Sequence, residues 1–154
     1  MQTYYFDSSA CVKRFSSEIG SKWVVTRMRP SAGNLIFVAR ITGAETIAAL
    51  ARKRKGNRLT SDEATKAINR FLRQFTNVFQ KITISDQIVD EAMNYANKHE
   101  LRGYDAVQLA VAMEVEKKIK IIGGLPLIFV SADNDLNNAA LAEGLAVENP
   151  NNYP

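Results

Sequence analysis

The sequence has few of the residues that form disulfides or bind transition metals. Its 154 residues include one Cys and one His. The single Cys11 cannot form a disulfide within the chain. One Cys and one His also fall short of the four ligands that a structural zinc site needs. We therefore expect that any metal ion bound by this chain is held by oxygen atoms.

Long hydrophobic runs are missing as well. The most apolar stretch, residues 121–130, is interrupted by two glycines and a proline. It is far shorter than the roughly 20 residues that a membrane-spanning helix needs. Residues 1–7 carry no basic side chain and only three consecutive apolar ones, unlike a secretory signal. We therefore expect a cytoplasmic protein with no membrane partner and, from its length, one domain over residues 1–154.

Charge is distributed unevenly along the chain. Residues 1–81 contain 15 Lys or Arg and five Asp or Glu, a balance of +10, whereas residues 82–154 contain five and 11, a balance of −6. A basic region of this size indicates either a polyanionic partner such as nucleic acid or a solvated surface. The basic run at residues 52–55, followed by Arg58, has two explanations too: cations are favoured at a helix C-terminus, and they also bind phosphates.

Short apolar runs alternate with helical patterns along the chain. Strands are predicted at residues 3–6, 35–40, 78–84, 127–130 and 145–147, and helices at 9–15, 22–29, 42–55, after Thr60, after Ser85, at 104–118 and at 134–143. Capping boxes are predicted where Thr42 and Thr60 are each followed three residues later by Glu. Strands that alternate with helices form βαβ units, so we expect an α/β fold with a mostly parallel sheet. Ligands in such folds bind outside the carboxyl ends of the strands.

Four acidic residues are predicted to lie at that edge. Asp7 and Asp133 follow the first and fourth strands, and Glu45 and Asp105 lie in the first turns of helices. Each has a simpler explanation, because Asp is a common N-cap and acids in a first turn are favoured by the helix dipole. Together, however, the four would repel one another unless a cation compensated. Oxygen ligands without His or Cys suit Mg²⁺ or Mn²⁺, which can polarise a phosphodiester and activate water.

At these residues the sequence resembles the PIN-domain ribonucleases, and more narrowly the VapC-like toxins of type II toxin–antitoxin systems. The resemblance lies in four blocks that occur in the family's order and span most of the chain. They are Tyr5–Ala10 with Val12–Phe15, Thr42–Glu45 with Ala48–Leu50, Gly103–Ala110, and Val130–Asp133.

The resemblance implies a three-layer α/β/α sandwich that carries a Mg²⁺- or Mn²⁺-dependent endoribonuclease. It implies that Asp7, Glu45, Asp105 and Asp133 are the acidic catalytic and metal-binding set. It also implies an RNA substrate, a homodimer and a cognate antitoxin protein whose tail blocks the site. Ser131 stands where the family often has Thr; its retained hydroxyl is compatible with a catalytic role in orienting water or metal.

Several neighbouring residues have open assignments. Asp135 is either a further metal ligand or a helix cap. Ser8 either caps the next helix or assists the site. Lys13 and Arg14 either face phosphate or are solvated, and Gln108, one helical turn after Asp105, either binds substrate or is an ordinary polar residue of the helix.

Three other functions compete with the nuclease. A non-catalytic RNA-binding or scaffold domain on the same frame is the main alternative, and the complete acidic set argues against it. A phosphohydrolase with an aspartyl nucleophile usually has a second Asp two residues after the first, where this chain has Ser9. A dinucleotide-binding enzyme is disfavoured because no G-x-G-x-x-G motif follows the first strand.

Overall fold

Five strands and seven helices make up the fold in the computed structural model, which describes residues 1–154. The strands are β1 (Thr3–Phe6), β2 (Leu35–Ala39), β3 (Gln80–Ile82), β4 (Ile128–Val130) and β5 (Ala146–Glu148). The helices are α1 (Ser8–Cys11), α2 (Ser21–Met28), α3 (Thr42–Lys55), α4 (Ser61–Asn77), α5 (Asp86–His99), α6 (Gly103–Ile121) and α7 (Asn134–Ala142). Short 3-10 turns lie at Val12–Arg14, Pro30–Ala32 and Pro150–Asn152.

All five strands are parallel and follow the order β3-β2-β1-β4-β5. Tyr5, in the central strand β1, pairs with Phe37 of β2 on one side and with Phe129 of β4 on the other. The chain leaves β1 first towards β2 and later returns to add β4 on its other side. The strand order therefore reverses at β1, and a crevice at such a switch point is where parallel sheets bind ligands. The predicted α/β class and parallel sheet are confirmed.

Helices cover both faces of the sheet, which makes the fold a three-layer sandwich. Because side chains alternate along a strand, Tyr4 and Phe6 of β1 enter one core while Tyr5 enters the other. The first core contains Leu50 of α3 and Phe71 of α4. The second contains residues of α6 and α7, including Leu109 and Leu136. None of the seven helices combines the length and the apolar character needed to cross a membrane.

The predicted caps have different outcomes. Thr60 and Glu63 form the reciprocal hydrogen bonds of a capping box at the start of α4, as predicted. The capping box predicted at Thr42 is wrong, because Ile41 is the N-cap of α3 and Thr42 lies inside the first turn. The side chain of Glu45 is therefore not used as a cap and is available to other partners.

The helix predicted at residues 9–15 is shorter than expected. Helix α1 ends at Cys11 and continues as the 3-10 turn Val12–Arg14. A 3-10 turn has 3.0 residues per turn instead of 3.6, so the side chains after Cys11 point in other directions than in a continuous α-helix. This change decides where Lys13 and Arg14 lie.

A close approach explains the glycine in the Thr42–Glu45 block. A Cβ atom added to Gly43 would lie 2.9 Å from the ring of Phe75 on α4. Gly43 thus lets the first turn of α3 pack directly on α4. That packing helps to hold Glu45, two residues later, at the edge of the sheet.

Candidate active site

The four predicted carboxylates line one pocket at the carboxyl edge of the sheet, beside the switch point. We call it the acidic pocket; its polar lining consists of Asp7, Ser8, Ser9, Glu45, Arg52, Arg102, Tyr104, Asp105 and Asp133. Asp7 directly follows β1, and Asp133 follows β4 as the N-cap of α7. Glu45 and Asp105 lie in the first turns of α3 and α6. Helices that follow parallel strands begin at this edge, so four segments distant in sequence meet there.

Asp7 is held by three donors from its own side of the pocket. The Ser9 hydroxyl lies 2.8 and 2.9 Å from the two carboxylate oxygens. The Ser131 hydroxyl donates to Oδ2 at 2.7 Å, and the Ala10 N–H donates to Oδ1 at 2.9 Å. The last bond makes Asp7 the N-cap of α1. Asp7 is therefore both a helix cap and a member of the pocket, so the two explanations weighed from the sequence hold together.

The pocket raises the pKa of two of its acids. Burial raises the pKa of Asp7 to about 6, against the lowering effect of the hydrogen bonds from Ser131, Ala10 and Ser9. Burial also raises the pKa of Glu45, and the charge of Asp105 adds to the rise at both residues. Desolvation and a nearby like charge both disfavour ionisation. A cation in this pocket would relieve both costs.

The buried side chain of Gln108 holds the Glu45 carboxylate in position. Its Nε2 donates to Glu45 Oε2 at 2.6 Å and to Thr42 Oγ1 at 3.0 Å. Its Oε1 accepts a hydrogen bond of 2.6 Å from the hydroxyl of the buried Tyr5. Since the Tyr5 hydroxyl occupies Oε1, the amide nitrogen is turned towards the acid. Gln108 is itself buried and does not line the pocket, so the structure gives it a positioning role instead of a direct contact with substrate.

Arg102 closes the other side of the pocket. Its Nε donates to Asp105 Oδ2 at 2.8 Å, and its NH2 group donates to Asp133 Oδ2 at 3.1 Å. The side chain of Arg102 is 78% exposed. Exposed ion pairs of this kind contribute little stability, roughly 0–1 kcal/mol each. Arg102 is thus a readily displaced cation that bridges Asp105 and Asp133.

The lining fits a hard divalent cation by chemistry. Carboxylate oxygens are the ligands that Mg²⁺ and Mn²⁺ prefer, and no His or Cys lines the pocket. No three His, Cys, Asp or Glu side chains are grouped closely enough to hold a metal ion in this arrangement. The donors are therefore gathered in one pocket but are not drawn together around a single point.

Three predicted residues lie away from the acidic pocket. Asp135 lines a separate depression beside His99 and Glu100. Lys13 is buried and pairs with Glu18 at 3.1 Å while donating to the Ile19 carbonyl.

Arg14 has equally local partners. Its Nε donates to Gln74 Oε1 at 2.7 Å and its NH1 group to the Val25 carbonyl at 3.2 Å. The 3-10 turn directs both basic side chains to neighbouring segments, so neither faces the carboxylates.

Three polar residues of the pocket had no predicted role, and a fourth, Arg52, was predicted only as part of a basic run that either ends a helix or binds phosphates. Ser9, Arg102 and Tyr104 are adjacent or nearly adjacent to predicted acids, which is the signal that marks them. Arg52 belongs to the basic run at the end of α3, and it alone of that run lines the pocket. Seven residues of helix separate it from Glu45, a distance of about 10 Å.

Comparisons with known proteins agree with this fold. A family model described as the PIN domain matches residues 4–141. The chain therefore belongs to the PIN-domain family. Within that family it is similar to Ribonuclease VapC45 of Mycobacterium tuberculosis (strain CDC 1551 / Oshkosh), with 30% identity over 147 residues that cover 96% of this chain and 95% of that protein.

Solved structures share the fold at lower sequence identity. PAE2754 from Pyrobaculum aerophilum matches with a TM-score of 0.63 and 19% identity, over 97% of this chain and 85% of that one. A chain of a toxin–antitoxin complex from Klebsiella pneumoniae matches with a TM-score of 0.57 and 19% identity, over 96% and 97%. These likenesses confirm the three-layer fold.

Proposed function

We propose that this chain is a divalent-metal-dependent endoribonuclease and the toxin of a toxin–antitoxin pair. The observation that carries the proposal is the convergence of Asp7, Glu45, Asp105 and Asp133 in one pocket at the switch point of the sheet. The raised pKa values of Asp7 and Glu45 support the proposal, because a bound cation would lower the cost of ionising these two acids. The similarity to a protein named Ribonuclease VapC45 supports the choice of RNA as substrate.

The four carboxylates are the residues that would hold Mg²⁺ or Mn²⁺. When bound, such an ion supplies positive charge to the phosphoryl group and lowers the pKa of water. The Ser9 and Ser131 hydroxyls keep the Asp7 carboxylate turned into the pocket, and Gln108 does the same for Glu45. These contacts position the acids as ligands, and water activated by the ion would then serve as the nucleophile in place of a protein side chain.

In the proposed metal-bound form, Arg102 releases the two carboxylates that it contacts. The Oδ2 atoms of Asp105 and Asp133 become available as ligands when they turn away from the guanidinium group. The freed Arg102 would then remain at the rim of the pocket, and its guanidinium group could bind an RNA phosphate there. Arg52, which also lines the pocket, offers a second cation to the RNA.

The partners proposed from the sequence are an antitoxin and a second copy of this chain. The fold is shared with a chain of a toxin–antitoxin complex, which supports an antitoxin partner. An antitoxin segment that lies over the acidic pocket would exclude RNA from it. Co-expression with the protein of the neighbouring reading frame tests this, since a cognate antitoxin will co-purify and abolish cleavage.

RNA cleavage tests the proposed function. The wild-type protein should cut RNA with Mg²⁺ or Mn²⁺ and stop on addition of a chelator. Asp7→Asn and Asp105→Asn should each lose cleavage, whereas Asp90→Asn, on the exposed surface of α5, should not. Cleavage that persists in both pocket variants would refute the assignment of the site. Expression of the wild type alone should slow bacterial growth, and expression of Asp7→Asn should not.

One observation favours a second candidate, a non-catalytic RNA-binding domain. Arg102 already pairs with both Asp105 and Asp133, and no three acids are grouped around one point. Such a domain would bind RNA equally well with metal or with chelator and would release it uncut. The cleavage assay separates the two candidates directly.

A further inference from the structure

A second concave surface, away from the acidic pocket, is strongly basic. It lies between helix α4 and the segment after the 3-10 turn Val12–Arg14. We call it the α4 groove and define it by its polar lining residues Ser16, Ser17, Lys66, Asn69, Arg70 and Arg73. Phe15 and Leu59 are its only hydrophobic residues, and Glu63 is its single acid.

The three cations of the groove form one stripe on α4. Lys66, Arg70 and Arg73 are spaced four and three residues apart, so they share one face of the helix over about 10 Å. All three are exposed, and none lies within 4.0 Å of a carboxylate. The side chain of Arg70 is already oriented, because its NH2 group donates to the Phe15 carbonyl.

The single acid does not neutralise this stripe. The Glu63 carboxylate accepts the Thr60 N–H at 2.8 Å and so serves the capping box of α4. With three cations and one acid, the groove therefore keeps an excess of positive charge, and none of its cations pairs with a carboxylate of the chain. Lys13 and Lys53, which lie in the same basic half of the sequence, are both paired with Glu18. The cations of the groove differ from them in having no such acidic partner.

The groove and the acidic pocket adjoin each other. Val12, the first residue of the 3-10 turn, lines the pocket, and Phe15, the residue directly after the turn, lines the groove. On the facing helix α3, Arg52 lines the pocket, and the next residue, Lys53, donates to the Ser16 hydroxyl at 2.8 Å. An RNA strand that leaves the acidic pocket past Arg52 would therefore reach the α4 groove next.

We propose that the α4 groove binds the sugar–phosphate backbone of the RNA whose scissile bond lies in the acidic pocket. This inference rests on the proposed function and adds a substrate preference to it: RNA long enough to reach Lys66, Arg70 and Arg73 binds more tightly than RNA that fills only the pocket. Seven of the nine residues that line the groove are polar or charged, and neither Tyr nor Trp is among them. Protein interfaces usually have an apolar and aromatic centre, so the lining favours nucleic acid over a protein segment.

The test compares two RNAs that share a central sequence, one of about four nucleotides and one of about 15. Binding is measured in EDTA, so that affinity is read without cleavage. The groove variant is Lys66→Gln/Arg70→Gln/Arg73→Gln. The matched control, Lys22→Gln/Arg29→Gln/Lys117→Gln, removes the same charge from exposed positions outside both surfaces.

The groove variant should bind the longer RNA between about tenfold and 100-fold more weakly at 0.1 M salt, and the short RNA as the wild type does. Three lost phosphate contacts should also lower the slope of log K against log salt by about 2, since each contact to a single strand contributes about 0.7. With metal present, KM for the longer RNA should rise while kcat is unchanged. The double variant Lys66→Gln/Arg73→Gln keeps the Arg70–Phe15 bond and should show a slope change of about 1.4.

Equal losses in the groove variant and the control would overturn the inference, as would equal losses for the two RNAs. Weaker binding of an acidic peptide, with RNA binding unchanged, would instead make the groove a protein-docking surface and would also overturn it. Failure of the proposed function gives a different result, because a protein that does not cleave RNA still reports length-dependent binding in EDTA.

Discussion

Ionised Asp7 destabilises the metal-free protein, and its replacement by Asn should reveal this. The side chain is 3% exposed, and burial raises its pKa from the ordinary 3.8 to about 6. The folded protein therefore holds the proton of Asp7 more tightly than the unfolded chain does. Its free energy of unfolding falls as the pH rises from about 4 to about 6, and the loss is complete above the folded pKa.

The size of this effect follows from the two pKa values. Their difference corresponds to about 3 kcal/mol, at 1.36 kcal/mol for each pKa unit. At pH 4 the wild type bears only about 0.5 kcal/mol of this cost, and at pH 8 it bears all of it. Asn has no charge, and its carbonyl oxygen can still accept the Ala10 N–H that caps α1.

Urea unfolding of the wild type and Asp7→Asn at pH 4 and pH 8, both in EDTA, measures the effect. The stability of Asp7→Asn relative to the wild type should improve by about 2–3 kcal/mol between the two pH values. Asp90→Asn, at an exposed position, should show no such improvement. A relative stability of Asp7→Asn that is the same at both pH values would refute the raised pKa of Asp7.

Three further predictions concern other contacts. Gln108→Leu leaves Tyr5 and Glu45 without their buried partner and should lower the free energy of unfolding in urea by about 2–3 kcal/mol, whereas an unchanged value would contradict the hydrogen-bonded chain. Thr60→Ala removes the capping box of α4 and should cost about 1 kcal/mol in the same assay without changing RNA cleavage. Arg102→Gln removes the cation that competes for Asp105 and Asp133, so calorimetry should show about fivefold tighter Mn²⁺ binding; weaker binding would mean that Arg102 supports the site.

The positions of the four acids could be predicted because each depends on local sequence. Asp7 and Asp133 follow apolar runs that end as strands, and Glu45 and Asp105 fall in first turns. Parallel strands and the helices after them share one edge, so the topology alone brings these residues together. The fold class was predictable for the same reason.

The contacts between the acids were not predictable, since they depend on side-chain directions across distant segments. Arg102 reaches Asp133 over 31 residues of sequence, and Gln108 reaches Glu45 over 63. Lys13 shows the same limit at short range, because a change from α-helix to 3-10 turn redirected it to Glu18. The periodicity of apolar residues predicts which face of a helix or strand is buried, but it does not predict which hydrogen-bond partner a long side chain reaches.

A crystal structure with Mn²⁺, read from its anomalous signal, tests most directly whether the acidic pocket is a metal centre. We expect a peak between Asp7, Glu45, Asp105 and Asp133, with at least three of their carboxylates as ligands. We also expect the Arg102 guanidinium group to have left Asp105 and Asp133. A pocket without a peak at saturating Mn²⁺, with Arg102 still bridging the two acids, would contradict the proposed metal centre.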